Sequence, residues 1–286
     1  MSERLVHKRV GDIELAGVSL AGEQTVIVAP ELNVGFDLGK APRELIPIDH
    51  VCLSHGHMDH AAGVAYYFSQ RGFQGNAAGT VITHPALVAP LERLMDVWAE
   101  IERHASPHTI IGLEPGQDHR IRRDLLVRAF AVNHNTPALG FTVLESRHKL
   151  REEFIGKTGP ELVTLKKQGV EIERWIEVPL LAYCGDSAEG DFLDLDYVNQ
   201  ANVIILECTF IEPDHVRRAR AGYHVHVRDL PRILSRLKNE HVVLSHVTRR
   251  TFLRDAKAAV RKVLKTSDLD RVTFLMDRPP RQRESS

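Results

Sequence analysis

Apolar residues in this chain recur in short runs that are broken by glycine, proline and polar clusters. Near the N-terminus, runs at 13–22, 25–30 and 33–39 predict the strands of a β-meander. Later runs at 50–54, 79–84, 124–134, 139–146, 179–187, 202–210 and 241–246 predict further strands. Helical spacing occurs at 61–72, 85–105, 230–239 and 254–264, with Pro90 as a point where the second helix can break. This alternation of strands and helices is typical of a layered α/β protein.

Two segments do not follow this pattern. Residues 147–177 mix charges and give no clear period, so their structure is left open. The final segment, 277–286, is rich in arginine, proline and serine and is expected to be disordered. We therefore expect one domain over residues 1–276.

The overall composition is that of an ordinary soluble globular protein. Of 286 residues, 43% are hydrophobic and 26% are charged, and the 37 basic and 38 acidic residues leave a net charge of −1. No global basic field therefore indicates a nucleic-acid partner. No apolar stretch is long enough to cross a membrane, and the three cysteines lie inside apolar runs, so we expect a cytoplasmic protein with reduced thiols.

Five of the predicted strands end in residues that can bind a metal or transfer a proton. These are His55, His134, Asp186, Glu207 and His246. Because active sites of layered α/β folds gather where strand ends meet, these five side chains are expected to share one crevice.

The run "SHGHMDH", residues 54–60, carries the strongest chemical signal. A single histidine at a strand end is usually a hydrogen-bonded polar residue, but His-x-His-x-Asp-His is a different pattern. His55 and His57 lie on the same face only where the chain is extended. The strand must therefore end at this point, and Asp59 and His60 fall at the turn into a helix. Imidazole and carboxylate suit zinc, manganese or iron, and the motif has no cysteine pair for a closed structural zinc site.

This motif resembles the signature of the metallo-β-lactamase superfamily, and the later residues match in order. The resemblance implies an αββα four-layer sandwich with two divalent metal ions at the edge of its sheets, zinc being the expected metal. By implication, the first ion is held by His55, His57, His134 and Asp186. The second is held by Asp59, His60, Asp186 and His246.

Four further segments resemble the ribonuclease Z branch, the endonuclease that trims the 3′ end of precursor tRNA. They are "LGF" after His134, "ECTF", "GYHVHVRDL" and "LSHVTRR". The resemblance implies that Glu207 orients an imidazole that donates a proton to the leaving group. That imidazole belongs to His224 or His226, because "GYHVH" has an extra residue between glycine and histidine relative to the family pattern. Thr209 and Arg249 match further positions of the family's motifs, and the resemblance implies that they bind the substrate.

The interval between His134 and Asp186 departs from this family. It is too short for the full protruding arm that grips tRNA, and its basic and acidic residues are balanced. Phosphodiester cleavage is thus better supported than tRNA as the particular substrate. The resemblance also suggests a homodimer.

The expected reaction is attack on phosphorus by water activated between two metals, with Asp59 orienting that water. Three alternatives stay open: a small phosphodiester such as a cyclic nucleotide, a thioester or lactone hydrolase of the same fold, and an RNA-binding scaffold with a degenerate site. The second would make the pair of Glu207 and His224 superfluous.

Overall fold

A computed structural model describes residues 5–277. Of the expected disordered tail, only Asp277 lies within this range; the other tail residues fall outside the described part of the chain. No helix in the described range is long and apolar enough to cross a membrane.

Eight strands form the first sheet. They are β1 (Val6–Val10), β2 (Ile13–Ala21), β3 (Gln24–Ala29), β4 (Val34–Phe36), β5 (His50–Cys52), β6 (Gly79–Thr83), β7 (His108–Gly112) and β14 (Val247–Thr248). The first seven lie in chain order, antiparallel from β1 to β4 and parallel from β4 to β7, and β14 pairs with β2. The expected N-terminal meander is therefore present.

Seven strands form the second sheet. They are β8 (Asp118–Arg122), β9 (Leu125–Ala131), β10 (Leu139–Leu150), β11 (Glu173–Tyr183), β12 (Val203–Glu207), β13 (His241–Ser245) and β15 (Val272–Phe274). Their order is β15-β13-β12-β11-β10-β9-β8, parallel from β15 to β11 and antiparallel from β11 to β8.

Nine α-helices accompany these sheets among residues 5–277. They are α1 (Met58–Ala61), α2 (Val64–Phe73), α3 (Pro85–Glu102), α4 (Gly159–Lys167), α5 (Asp196–Asn199), α6 (Val216–Ala221), α7 (Leu230–Arg236), α8 (Leu253–Val263) and α9 (Thr266–Leu269). Helix α3 continues through Pro90, which lies inside the helix and leaves the carbonyl of Ala86 without its helical donor, so the expected break is absent.

Alternation along the strands builds a four-layer sandwich. In β12, Val203 and Ile205 face the core between the sheets, whereas Ile204 and Leu206 pack against α5, α7 and α8. On the first sheet, Val26 and Val28 of β3 pack toward α2 and α3. Three buried apolar layers thus separate helices, sheet, sheet and helices, which confirms the expected αββα architecture.

Strands β10 and β11 extend past their neighbour β9. They pair from Phe141 with Tyr183 to Leu150 with Glu173, whereas β9 pairs with β10 only as far as Glu145. The extension and helix α4 form a small arm over residues 146–177, which resolves the segment that had no clear period. Its side chains pair within the arm, as Arg151 does with Glu171 and Arg174 with Glu152.

Candidate metal centre

The loop after β5 places the histidine motif at the mouth of the sandwich. Strand β5 ends at Cys52, and His55 forms an isolated β-bridge with Ala138, just before β10. His57 is still extended and immediately precedes α1, which contains Asp59 and His60. The local backbone is therefore the strand-to-helix transition that the motif predicts.

A first cluster joins this loop to the second sheet. It consists of His55, His57, His134 and Asp186, each with a ligand atom within 4.8 Å of the others. His134 Nε2 lies 3.4 Å from His57 Nδ1, and His55 Nε2 lies 3.9 Å from Asp186 Oδ2. His134 follows β9 and Asp186 follows β11; these strands run in the same direction on either side of β10, so both residues lie at the same edge of the sheet.

A second cluster, of Asp59, His60 and His246, lies directly beside the first. His60 Nε2 is 3.3 Å from His246 Nε2, and His246 Nε2 is 3.4 Å from Asp59 Oδ2. Asp186 reaches this cluster too, with Oδ2 3.4 Å from His60 Nε2 and Oδ1 3.3 Å from His246 Nδ1. The buried carboxylate of Asp186 therefore touches both clusters.

The donor atoms fit divalent cations. His55 Nε2 is buried and has no hydrogen-bond partner among residues 5–277, and the Nε2 atoms of His60 and His246 face each other. Two imidazole nitrogens at that distance need a shared cation or proton, because two lone pairs repel. Only nitrogen and oxygen atoms converge here, which suits zinc, manganese or iron.

The electrostatics of the clusters also favour metal binding. Burial and the neighbouring His60 lower the pKa of His55 to about 2, and burial lowers the pKa of His134 to about 4, so both imidazoles are neutral, as ligands must be. Burial opposes ionisation of Asp59, but a hydrogen bond from His246 and the charge of His60 outweigh it and lower the pKa of that carboxyl. Against the effect of burial, the carboxylates of Asp186 and Asp37 raise the pKa of His60, so a bound cation would take the place of the proton on this imidazole.

Asp37 supports the second cluster from behind. Its fully buried carboxylate accepts hydrogen bonds from His60 Nδ1 at 2.6 Å, from the backbone and hydroxyl of Ser54, and from the hydroxyl of Tyr183. A carboxylate behind a ligating imidazole sets its tautomer and leaves Nε2 free for a cation. Asp37 is absent from the site residues expected from the sequence; its signal there is "GFDLG", residues 35–39, in which an aspartate follows an apolar run.

A hydrogen-bonded acid and imidazole lie beside the clusters. Glu207, at the end of β12, accepts a hydrogen bond from His224 Nδ1 at 2.7 Å. The same carboxylate also accepts from the backbone of Ser187 and Val225 and from Thr209 Oγ1. Burial disfavours the charged imidazole, but the Glu207 carboxylate outweighs it and raises the pKa of His224 to about 9.

Thr209 and His226 have distinct surroundings. Thr209 Oγ1 lies 2.9 Å from His246 Nδ1 and so connects Glu207 to the second cluster. His226 Nε2 contacts the carbonyl oxygen of Glu212, and its Nδ1 accepts from the backbone of Arg228, where it caps a short 3-10 helix. Both ring nitrogens of His226 are therefore occupied by backbone groups.

An open cleft of about 640 Å³ exposes the clusters to solvent. Its walls include His57, Asp59, Asp186, Thr209, Phe210, Arg218, His224, His246, Arg249 and Arg250. Arg249, on the rim, is paired with Glu23 at 3.0 Å. A polar, half-open cleft of this kind admits a charged substrate from the surface.

Comparisons with known proteins agree with this geometry. A family model described as a beta-lactamase superfamily domain matches residues 32–247. The tRNase Z TRZ1 of Arabidopsis thaliana is 32% identical over 251 residues, which cover 86% of this chain and 89% of that protein.

Two solved structures have a similar fold. The crystal structure of the short form of human tRNase Z has a TM-score of 0.60 at 15% identity and covers 90% of this chain and 93% of its own. The metallo-beta-lactamase fold protein YhfI of Bacillus subtilis has a TM-score of 0.64 at 14% identity, covering 92% and 96%. The sandwich, the family match and the level of identity together confirm the expected branch: the chain belongs to the ribonuclease Z family of the beta-lactamase superfamily and is a metal-dependent hydrolase.

Proposed function

We propose that this protein cleaves phosphodiester bonds in RNA endonucleolytically, with two divalent ions held by the two clusters. The observation that carries the proposal is the pair of Glu207 and His224, at 2.7 Å, on the wall of the same cleft as Asp59 and Asp186. A proton donor is needed where a poor leaving group such as a ribose oxygen departs, as in RNA, but not where a thiolate departs, as from a thioester. The relatives named tRNase Z support RNA as the substrate class.

His55, His57, His134 and Asp186 would hold one ion, and Asp59, His60, Asp186 and His246 the other. Such ions supply water activation at neutral pH and neutralise charge on the phosphate. We propose zinc, because the donors are mostly imidazoles; manganese and iron accept the same set. Metal analysis of the purified protein tests this, and fewer than one ion per chain would favour a degenerate scaffold.

The chain's own groups would move the protons. Asp59 Oδ2, which accepts a hydrogen bond from the Gly22 backbone at 2.7 Å, orients the attacking water and takes its proton. As the water oxygen bonds to phosphorus, the bond from phosphorus to the leaving oxygen breaks. His224, held by Glu207, donates its proton to that oxygen, which departs as a hydroxyl group.

Two further residues would position the substrate. Thr209 Oγ1 lies between Glu207 and His246, and thus ties the proton donor to the second cluster. Arg249 is exposed on the cleft rim and can pair with a phosphate once it releases its partner Glu23.

The decisive experiment compares three substrates with the metal-loaded protein. A precursor tRNA, a generic single-stranded RNA and a cyclic nucleotide are each assayed, with Asp186→Ala as the blank. Cleavage of the precursor tRNA or single-stranded RNA supports the proposal. Turnover of lactones with inactivity toward all phosphodiesters would refute it, and turnover of the cyclic nucleotide alone would favour a small-molecule phosphodiesterase.

We also propose a homodimer in a reducing, cytoplasmic compartment. Helix α3 exposes Val97, Trp98 and Ile101, and Tyr66 of α2 lines the same pocket as Trp98, so apolar side chains of two helices are exposed on this face. Light scattering of the wild type and of Trp98→Glu tests the dimer, with Phe252→Glu, at another exposed aromatic residue, as control; a wild-type monomer contradicts the dimer. Cys52, Cys184 and Cys208 are buried and unbridged, as a reducing compartment allows, and fractionation of a tagged protein checks the location.

A further inference from the structure

A second groove lies on the other side of His224. It has a volume of about 460 Å³, and its lining includes Asn133, Glu189, Arg220, Tyr223 and Arg232 as well as His224. His224 also lines the metal cleft, so this one imidazole borders both spaces. We call this space the Tyr223 groove. It has no part in the reaction described so far.

Helix α6 separates the two spaces and gives a basic residue to each. Arg218 lines the metal cleft and Arg220 lines the Tyr223 groove, since residues two apart on a helix point in nearly opposite directions. The groove is lined by three arginines and by three carboxylates, Glu189, Asp191 and Asp229. Arg232 and Arg236 pair with Glu189, and Arg232 also lies 3.6 Å from Asp229, whereas the Arg220 side chain has no hydrogen bond or ion pair with any residue from 5 to 277. A solvent-exposed, unpaired guanidinium in a groove is suited to an anionic ligand.

Tyr223 presents its ring at this groove from an unfavourable backbone. Its φ is +58°, in the left-handed region that favours glycine, although Gly222 beside it has a φ of −89°. The side chain is 46% exposed, so no burial in the core explains the tyrosine. It belongs to "GYHVH", in which one more residue precedes the histidine than in the family pattern. The hydrogen bonds from His224 N–H to the Ala219 carbonyl and from Tyr223 N–H to the Arg220 carbonyl form a Schellman cap on α6, which accounts for the positive φ at Tyr223. The cap does not require an aromatic side chain, so the exposed ring at this position remains to be explained.

We propose that the Tyr223 groove binds the nucleotide whose oxygen departs, with its base stacked on Tyr223 and the next phosphate paired with Arg220. This inference rests on the proposed function, in which His224 donates its proton to the leaving oxygen. The departing nucleotide must therefore lie on the His224 side of the scissile phosphate, and the groove opens there. Aromatic rings bind bases of any sequence by stacking. Only a polynucleotide that extends beyond the scissile bond in both directions would fill both spaces. A cyclic nucleotide has no such extension.

The test is a double-mutant cycle between Tyr223 and the base. Wild type, Tyr223→Gly and Tyr223→Trp are each assayed on three RNAs. One RNA has all its bases. The other two lack a single base, at the nucleotide immediately upstream or immediately downstream of the cleaved bond. End-group analysis of the products identifies the fragment that carries the departed oxygen. Tyr223→Gly relieves the left-handed strain and removes an exposed ring, so its melting temperature should equal or exceed that of the wild type.

On the intact RNA, Tyr223→Gly should lose between about 5-fold and about 150-fold in kcat/KM, mostly through KM, and Tyr223→Trp should lose little. When the base on the departing side is missing, wild type and Tyr223→Gly should become equal. Equal losses on intact and abasic RNA, or coupling to the base on the other side, would overturn the assignment. A wild type that cleaves no RNA would refute the proposed function and this subsite together, whereas unaltered cleavage by Tyr223→Gly refutes the subsite alone.

Arg220 gives an independent readout. Arg220→Gln should weaken binding of intact and abasic RNA by the same factor and should reduce the slope of log Kd against log salt by about 1, because it removes one phosphate contact. An unchanged slope would remove Arg220 from the subsite. Arg217, which neighbours it on α6 but does not line the groove, is the matched control as Arg217→Gln.

Discussion

Removal of the His224 imidazole should slow the reaction more strongly when the leaving group is more basic, because a more basic leaving group depends more on protonation. With a pKa of about 9, raised by Glu207 against the effect of burial, His224 is about 97% protonated at pH 7.5, whereas an unperturbed histidine of pKa about 6.5 would be only about 9% protonated. The pair with Glu207 thus gives roughly a tenfold larger population of the reactive acid. General acid catalysis itself contributes typically ~10²- to 10⁴-fold.

His224→Ala should therefore lower kcat/KM on RNA by about 10²- to 10⁴-fold, and on bis(p-nitrophenyl) phosphate by less than about 10-fold, because nitrophenolate leaves without a proton. The pH profile on RNA should agree. Since the raised pKa keeps the His224 imidazole protonated up to about pH 9, the wild-type rate should fall above that pH. The rate of His224→Ala should not show this fall.

His226→Ala is the matched control, since this histidine lies two residues away and bonds only to backbone groups. It should cost about 1–3 kcal/mol in unfolding free energy, because the backbone groups lose their partner, with equal effects on the two substrates. Equal loss on both substrates in His224→Ala, or a selective loss on RNA in His226→Ala, would refute the assignment of the proton donor.

Three further outcomes are expected. Chelation of the metal should abolish activity and lower the melting temperature, because an ion that binds only the folded state stabilises it. Adding zinc back should restore both the activity and the melting temperature. Asp37→Asn should weaken metal binding about 10- to 100-fold by loosening His60, as equilibrium dialysis can show, and unchanged affinity would contradict that role. Gly140→Ala should destabilise the fold by about 1–3 kcal/mol in denaturant melts, because its Cβ would lie 2.1 Å from the ring of Phe130, whereas Gly159→Ala, with open space around it, should change stability by less than about 0.5 kcal/mol.

Sequence periodicity missed five strands, β1, β7, β8, β14 and β15, and each of them pairs with a neighbour on one side only. β8 is an edge strand with mostly exposed residues, and β1, with the sequence VHKRV, buries only its two terminal valines. Their pairing depends on backbone hydrogen bonds to β9 and β2 rather than on a buried face. Hydrophobic alternation does not depend on such pairing, so the sequence pattern did not predict these strands. The arm over 146–177 was unclear for a similar reason, since its stability comes from β10 pairing with β11 and from charge pairs.

The sequence by itself determined the class of this protein and most of its candidate site. The motif at 55–60 and the polar ends of later strands identified the residues that the structure brings together, because each must follow a strand in order to reach the same sheet edge. What only the tertiary structure decided is how these residues are connected. Asp37 lies behind His60, Asp186 spans both clusters, and Glu207 holds His224 while His226 bonds to backbone. Such choices depend on side-chain direction and burial across distant segments, and local spacing does not encode them.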